Sequence, residues 1–453
     1  MSDIYDVVGV GFGPSSLSLA AAVAESRGDS PERRLTAAFF ERKSTFGWHR
    51  DMLLPSAKMQ VSFLKDLATF RNPASSFSFV SYLHAMGRLA EFVNNQDFFP
   101  TRREFHEYLE WSAAKVADWV TYGAVVTGIE LGAGGLLEVA VESANKPVQT
   151  VLAHNVAIST GLVPKMPPEI DRDDRVWHSS ELLGRFAGVD RDRLARVAVA
   201  GAGQSAAEIT RFFCDALPDA SIFAILPSYG YSIADNTPFA NEVFDPGAVE
   251  DHYRGSDESR EAFWRYHSNT NYSVVDAAVI DDLYQRRYED RLSKADRLNF
   301  LRLSRVTGVR RGAGQMRLRV ESLLPDTPRE LDVDLLVCAT GYRPMQPSSL
   351  LSSMDSSVLR DGTGRYRVER DYRLITDPDL PGGIYLLGGT EHTHGLASSL
   401  LSNIAVRSGE IVESVLSRRS RRETGGSAAA GHFRRADSFP GKENSEQHES
   451  LRR

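Results

Sequence analysis

The sequence predicts an α/β protein built from two Rossmann-like dinucleotide-binding domains and a small, mainly helical substrate-binding cap. Three observations predict it. A glycine-rich turn, Gly9-Val-Gly11-Phe-Gly13-Pro14, follows an apolar run close to the N-terminus. A second, Gly201-Ala-Gly203-Gln204-Ser205-Ala206, lies near mid-chain. Each stands between a β-branched strand and a small-residue helix, which is the context this motif requires. The third observation is a polar and aromatic segment, about residues 228–291, that lacks a strand–helix rhythm and reads as an inserted helical cap. Glycine lets the backbone approach a pyrophosphate closely, and the helix N-terminus then offers it free N–H groups and a positive dipole end. Two such turns in one chain imply an enzyme that holds two dinucleotides, most economically a flavin and the nicotinamide that reduces it.

The elements follow in order. A strand at residues 6–10, the first turn and a helix at 16–25 form half of a βαβ unit. A polar loop leads to a strand at 37–41 that ends in Glu41, where an acidic residue bonds a ribose hydroxyl in such units. Residues 102–111 read as the start of an amphipathic helix, 136–142 and 148–153 as hairpin strands, and 155–161 as a returning core strand. The second unit opens with a strand at 197–200 and a helix at 205–217. Residues 332–344 resemble the earlier ending at 158–161, as if the chain crosses between two domains twice. The expected layout is a flavin-binding domain at 1–162 and 335–417, interrupted by a nicotinamide-nucleotide-binding domain at 163–334 that includes the cap. The Arg- and Ser-rich residues 418–453 are expected to be a disordered tail.

Bulk properties bound the answer. A chain of 453 residues suggests two or three domains, and 42% hydrophobic residues suffice for their cores. No apolar run approaches a membrane span. Residues 1–6 carry neither a basic nor an apolar leader, so a cytoplasmic enzyme is expected. A formal charge of −7 argues against nucleic acid as a partner. Cys214 and Cys338 sit in separate apolar stretches and read as buried free thiols. His392 and His394, with only Glu391 beside them, make a poor metal site, and none is expected.

Residues 46–73, including Trp48, His49, Gln60 and Lys65, hold too many polar and aromatic side chains in apolar surroundings for a plain surface loop. This segment resembles the signature of the N-hydroxylating flavin monooxygenases, specifically the L-ornithine N5-hydroxylases of hydroxamate siderophore and related pathways. The resemblance extends through residues 98–105, 203–208, 236–245, 269–275, 339–342 and 393–402. It implies that FAD is held by Gly9, Gly11, Gly13, Pro14, Glu41, Lys43, Trp48, His49, Gln60, a backbone contact near Val126, and Ser399, Leu400 and Leu401. It implies NADPH on Gly203, Gln204, Ser205 and Ala206, with Tyr272 and Ser273 near the nicotinamide half. L-Ornithine would be read by Lys65, Asn241, Asn271 and Ser402.

The same resemblance implies the chemistry. NADPH reduces the flavin, O2 adds to give a C4a-hydroperoxide, and the substrate amine attacks its distal oxygen, so no side chain is assigned as catalytic. An amine with a pKa of about 10.4 is almost wholly protonated near neutrality, and desolvation favours its nucleophilic neutral form. His49 is therefore expected to pack or hydrogen-bond with the flavin rather than take a proton, and His392 and His394 to shape the flavin wall. A homotetramer is also implied.

One departure stands out. After the strand of the second unit, where many relatives carry an arginine suited to a 2′-phosphate, the chain reads Ile225-Leu-Pro-Ser228-Tyr229. NADPH preference then rests on resemblance, with Ser228 and Tyr229 as candidate hydrogen-bonding partners. Cys338 replaces the usual larger apolar residue. L-Lysine N6-hydroxylation and diamine N-hydroxylation remain open, since one methylene is worth only about 1–3 kcal/mol. Lys65 with the two asparagines favours a substrate that carries a carboxylate. A non-catalytic, redox-responsive flavoprotein is the alternative from another class.

Overall fold

The computed structural model describes residues 4–27, 31–144, 146–312, 314–325 and 328–423. Strands Gly383–Leu386, Asn155–Ile158, Val7–Val10, Ala37–Glu41 and Val120–Tyr122 form one sheet in that spatial order, every pair parallel. The strands read as continuous apolar runs because both faces are covered. Val7 and Phe39 face a layer of helices with Leu17, Val23, Ile411 and Val415. Val8, Val10, Ala38 and Phe40 face the antiparallel strands Ala124–Leu131, Leu137–Ser143 and Gln149–Ala153. Helix Pro14–Ser26 starts with proline, whose fixed φ suits the first turn, and lies along the C-terminal helix Ile404–Glu423.

The mid-chain unit repeats the plan. Strands Val176–His178, Leu335–Cys338, Arg196–Ala200, Ser221–Ile225 and Leu298–Leu301 form a second parallel sheet. Val197 and Val199 pack against Ile209 and Phe213 of helix Gln204–Ala216 and Leu283 of helix Ala277–Leu292. Ala198, Ala200 and Phe223 pack against Val306, Met316 and Leu318 of a three-stranded antiparallel sheet.

Several expected boundaries move. Leu335–Cys338 pairs with Arg196–Ala200, so it completes the mid-chain sheet rather than beginning the outer domain's return at residue 335. Helix Ala277–Leu292 lies on helix Gln204–Ala216 and feeds strand Leu298–Leu301, so it is a crossover helix and not part of the cap. Its polar outer face hid that role in the sequence. The C-terminal helix runs to Glu423, so residues 418–423 are helical where a disordered tail was expected, and the rest of that tail lies outside the described residues. Cys338 is buried, but Cys214 is only partly so; burial raises their thiols to about 12 and about 11 respectively.

The two crossings between units pair as an antiparallel ribbon, Leu162–Pro164 against Tyr342–Pro344. The cap comprises helices Pro238–Asn241, Pro246–Arg254 and Asp257–His267, with a short parallel pairing of Ser232–Ile233 and Val274–Val275. Arg370 fastens it to the outer unit by donating to Glu250 at 2.8 Å while forming a two-point pair with Glu410 of the C-terminal helix, both contacts 2.9 Å. Among the described residues no helix is long and apolar enough to cross a membrane.

Candidate active site

The first turn is shaped by its neighbours. A Cβ on Gly9 would fall 2.2 Å from the Phe39 ring, so this glycine makes room for strand packing. Gly11 has φ +84°, and a Cβ there would lie 2.5 Å from the Ser159 carbonyl oxygen. Only at Gly13 does a Cβ meet no protein atom within 4 Å. Gly13 caps the following helix without a side-chain hydrogen bond, and the first turn of that helix holds no acidic residue. These features fit a pyrophosphate, whose charge the free N–H groups and dipole would favour. The clearance at the turn therefore belongs to Gly13, while Gly9 and Gly11 serve the backbone.

Glu41 is buried at the strand end, where its Oε2 accepts from the Phe12 N–H at 2.7 Å and its Oε1 from the Lys43 N–H at 3.0 Å. Lys43 Nζ donates to the Gly47 carbonyl at 2.9 Å and closes the loop that carries Trp48 and His49. His49 holds a left-handed backbone at φ 47°, packs edge-on to Trp48 at 4.8 Å between ring centroids, and faces Tyr342 at 6.0 Å. The protein packed around it pushes its imidazole down to about 4, with the Arg102 and Lys43 cations acting in the same direction, although the side chain keeps an exposed surface. His49 is thus neutral near pH 7. Val126 lies in strand Ala124–Leu131 at a β-bulge, under the first parallel sheet. Ser399 Oγ accepts from the Gly389 N–H at 3.3 Å.

A polar bridge joins the two units. Gln60 donates to Asp276 Oδ1 at 3.4 Å, and Gln204 of the second turn donates to Asp276 Oδ2 at 2.8 Å and to Glu208 Oε1 at 2.9 Å. The Asp276 N–H returns a bond to Gln204 Oε1 at 2.8 Å. Glu208, buried on the second-turn helix, takes a two-point contact from Arg102 of the outer unit. At the second turn itself, Gly201 leaves no room for a side chain, since a Cβ would lie 2.3 Å from the Ala339 oxygen. A Cβ on Gly203 would touch only Ser273 Cα, at 3.7 Å. Ser205 and Ala206 open the helix, again with no acidic residue in its first turn.

The expected substrate residues fall on three segments: Lys65 on the loop after the first unit, Asn241 and Asn271 in the cap region, and Ser402 before the C-terminal helix. Lys65 Nζ pairs with Asp245 Oδ1 at 3.2 Å and lies about 6 Å from the Phe70 and Phe244 rings. Both Asn241 amide protons go to the Asn236 and Thr237 carbonyls, at 3.0 and 3.2 Å, which leaves Oδ1 for a ligand. Asn241 therefore offers a ligand its acceptor rather than its donors. Ser402 is buried, and its hydroxyl has no partner among the described residues. Asn271 precedes Tyr272, whose hydroxyl donates to Glu391 Oε1 at 2.6 Å, and Ser273, at φ 60°. Burial raises the Glu391 carboxyl, and burial with the Glu391 charge raises the Tyr272 phenol.

A cleft of about 400 Å³ opens beside this pair, lined by Trp264, Pro344, Arg365, Gly389, Glu391 and His392. None of Lys65, Asn241, Asn271 or Ser402 lines it. His392 and His394 are held by the Tyr366 and Arg370 carbonyls, at 2.8 and 3.1 Å. Arg102, Glu208, Asp276 and Glu391 were not singled out as site residues from sequence. The one available signal was the spacing of Gln204 and Glu208, which puts both on one helical face.

The family described as L-lysine 6-monooxygenase/L-ornithine 5-monooxygenase matches residues 3–344. The L-ornithine N(5)-oxygenase of Arthrobotrys oligospora is 38% identical, over 91% of this chain and 88% of its own length. Among solved structures, the ornithine N-hydroxylase KtzI of Kutzneria sp. 744, described with reduced FAD, NADP+ and L-ornithine, is 57% identical, with a TM-score of 0.89. The match covers 92% of this chain and 100% of that one. Ornithine hydroxylase PvdA of Pseudomonas aeruginosa is 32% identical with a TM-score of 0.86 over the same shares.

Proposed function

From the premise that the chain belongs to the L-lysine 6-monooxygenase/L-ornithine 5-monooxygenase family, we propose that it is an FAD- and NADPH-dependent L-ornithine N5-monooxygenase. O2 is the co-substrate, and N5-hydroxy-L-ornithine is the product, a precursor for hydroxamate siderophores or related metabolites. The enzyme acts in the cytoplasm as a homotetramer. The observation that carries the reading is the bridge Gln60–Asp276–Gln204, which holds a loop of the outer unit against the second turn and so keeps two nucleotide sites in one frame. Ornithine rather than lysine is favoured by the relatives, which are named for ornithine at up to 57% identity.

Bound FAD would supply electron transfer from NADPH and activation of O2, chemistry that no side chain can provide. The chain's own residues bind and orient. The first turn, Glu41, Lys43, Trp48, His49, Gln60 and residues 399–401 hold the flavin, with Val126 contributing backbone. Gly203–Ala206 hold NADPH, with Tyr272 and Ser273 at its reactive half. Lys65 meets the substrate carboxylate as a point charge, either sharing or displacing its contact with Asp245. The orphan Ser402 hydroxyl gains a partner from substrate. A neutral His49 adds no positive charge beside an amine that must lose its proton to react.

Incubation with NADPH in air, separately with L-ornithine, L-lysine and putrescine, tests the reading by mass analysis of the products. Hydroxylation of ornithine is expected to dominate. A dominant lysine or diamine product would overturn the substrate, and NADPH consumption without any hydroxylated product would overturn the activity.

A further inference from the structure

The mid-chain unit lacks the arginine that a 2′-phosphate would meet directly after strand Ser221–Ile225, yet the fold brings one there from elsewhere. Ala200 pairs with Ile225, and Ile225 pairs with Leu301, so the three strands end level at one edge of the sheet. The second turn leaves this edge from Ala200, and Gly201 stays close by donating to the Ile225 carbonyl at 3.0 Å. Loop residues Ser228 and Tyr229 leave it from the middle strand. Arg302 leaves it from the third. The last two segments are tied: the Leu226 N–H donates to the Leu301 carbonyl at 2.8 Å, and the Leu303 N–H to the Ser228 carbonyl at 3.0 Å. The Arg302 guanidinium consequently lies 4.8 Å from the centre of the exposed Tyr229 ring.

In a doubly wound sheet a dinucleotide lies across the carboxyl ends of the strands, and the ribose of its adenosine half reaches the end of the strand after the glycine turn. That end is Ile225 here, and adjacent strands stand about 4.8 Å apart, so a group leaving the next strand lies within arginine reach of it. The charge at this corner is unbalanced. Arg287 stands over Phe300 at 5.4 Å. Burial lowers its affinity for a proton, and the Arg291 and Arg302 cations lower it further, which puts both of those guanidinium groups within the field of Arg287. Among the described residues none of the three has a carboxylate within ion-pair distance, while Asp215 and Asp282 both pair with Arg286. A partly exposed cationic corner suits a phosphate monoester, which takes several charge-assisted hydrogen bonds at once, although the Ser228 hydroxyl is already spent on the Gly230 carbonyl at 2.7 Å.

We propose that Arg302, supported by Arg287, recognises the 2′-phosphate of NADPH and sets the preference for NADPH over NADH. This rests on the reading of the second turn as the nicotinamide nucleotide site. Arg302 replaces in space the cation that the sequence order does not supply, and Tyr229 keeps its guanidinium over the loop by cation–π contact.

Calorimetric titration of the FAD-loaded protein with NADP+, NAD+ and adenosine 2′,5′-bisphosphate tests it without turnover, in the unaltered protein, Arg302→Ala and Arg302→Lys. Arg302→Ala is expected to weaken NADP+ and the bisphosphate by about ten- to a hundred-fold while NAD+ changes less than about two-fold. Arg302→Lys should recover part of the loss. Higher salt should narrow the gap between the unaltered protein and Arg302→Ala. Equal weakening of NADP+ and NAD+, or no change in either, would overturn the proposal. If the unaltered protein binds NAD+ as tightly as NADP+, the assignment of NADPH itself fails, and the proposal with it.

Discussion

Arg102 and Glu208, 106 residues apart in sequence, make a two-point ion pair with both contacts at 2.9 Å across the boundary between the two nucleotide-binding units. Glu208 is almost fully buried, and Gln204 also donates to it, so the pair ties the second turn to the outer unit. Truncation of one partner leaves the other charge buried without its match, which costs about 3–5 kcal/mol. Glu208→Ala should therefore lower the unfolding free energy by about 3 kcal/mol in urea titrations of the flavin-loaded protein. Glu208→Gln, which retains hydrogen-bonding capacity, should lose less.

Lys65 is the residue that separates substrate recognition from oxygen use. Lys65→Ala removes a charge-assisted contact of about 1.5–3 kcal/mol, so the ornithine concentration for half-maximal rate should rise by about ten- to a hundred-fold. Flavin reduction by NADPH should be nearly unchanged, and NADPH consumption should yield hydrogen peroxide in place of hydroxylated product. Parallel assays of peroxide, product and NADPH across ornithine concentrations check this. Unchanged ornithine dependence with unchanged coupling would make the pairing with Asp245 purely structural.

The first turn distinguishes two kinds of glycine. Gly11→Ala places a methyl against the Ser159 carbonyl at a positive φ, so it should lower both the melting temperature of the flavin-free protein and flavin content. Gly13→Ala meets no protein atom and has an ordinary φ of −92°, so the flavin-free protein should melt as before. Its methyl would instead stand where a pyrophosphate approaches, and flavin absorbance after purification should fall. Full flavin content in Gly13→Ala would remove FAD from this turn.

His49 keeps an exposed surface, yet the protein packed around it and the Arg102 and Lys43 cations hold it down at about 4, against about 6.5 in an unfolded chain. Between those two values the unfolded state binds the proton and the folded state does not, so stability falls as the pH is lowered from about 6.5 to about 4. Above that window the residue contributes no pH dependence. His49→Asn retains a residue that tolerates the left-handed backbone and removes the titration. Its melting temperature should decline less steeply than that of the unaltered protein as the pH falls across the window. Parallel curves would show that His49 protonates freely in the fold.

Both glycine turns were legible because a tight strand–turn–helix demands glycine at fixed offsets, for close backbone packing at Gly11 and Gly201 and for clearance at Gly13 and Gly203. The crossover helix Ala277–Leu292 was not legible, because only Val279 and Leu283 bury and its remaining positions are polar enough to resemble a cap. Lys65 stood out as one cation in an apolar run, but its partner Asp245, 180 residues away, follows from the docking of the cap and from no local pattern. Arg302 was invisible as a phosphate ligand for the same reason: parallel strands bring together residues that lie far apart in order. Resemblance supplied Ser402 and Asn271, and neither spacing nor hydropathy marks them.

The ribbon between Leu162–Pro164 and Tyr342–Pro344 also dictates an order of assembly during synthesis. Strands Val7–Val10 and Asn155–Ile158 leave the ribosome long before Gly383–Leu386, which completes their sheet, and before Ile404–Glu423, which covers helix Pro14–Ser26. The inner unit, whose strands run from Val176 to Cys338, has all its sheet partners in hand first. Nascent chains halted once Cys338 has cleared the ribosome and before Gly383 has should therefore protect the inner unit from protease while the amino-terminal part of the outer unit stays cleavable, with its apolar face awaiting the last helix. Because the ribbon sets the inner unit's two ends side by side, a short linker in its place would give an outer unit that no longer has to wait.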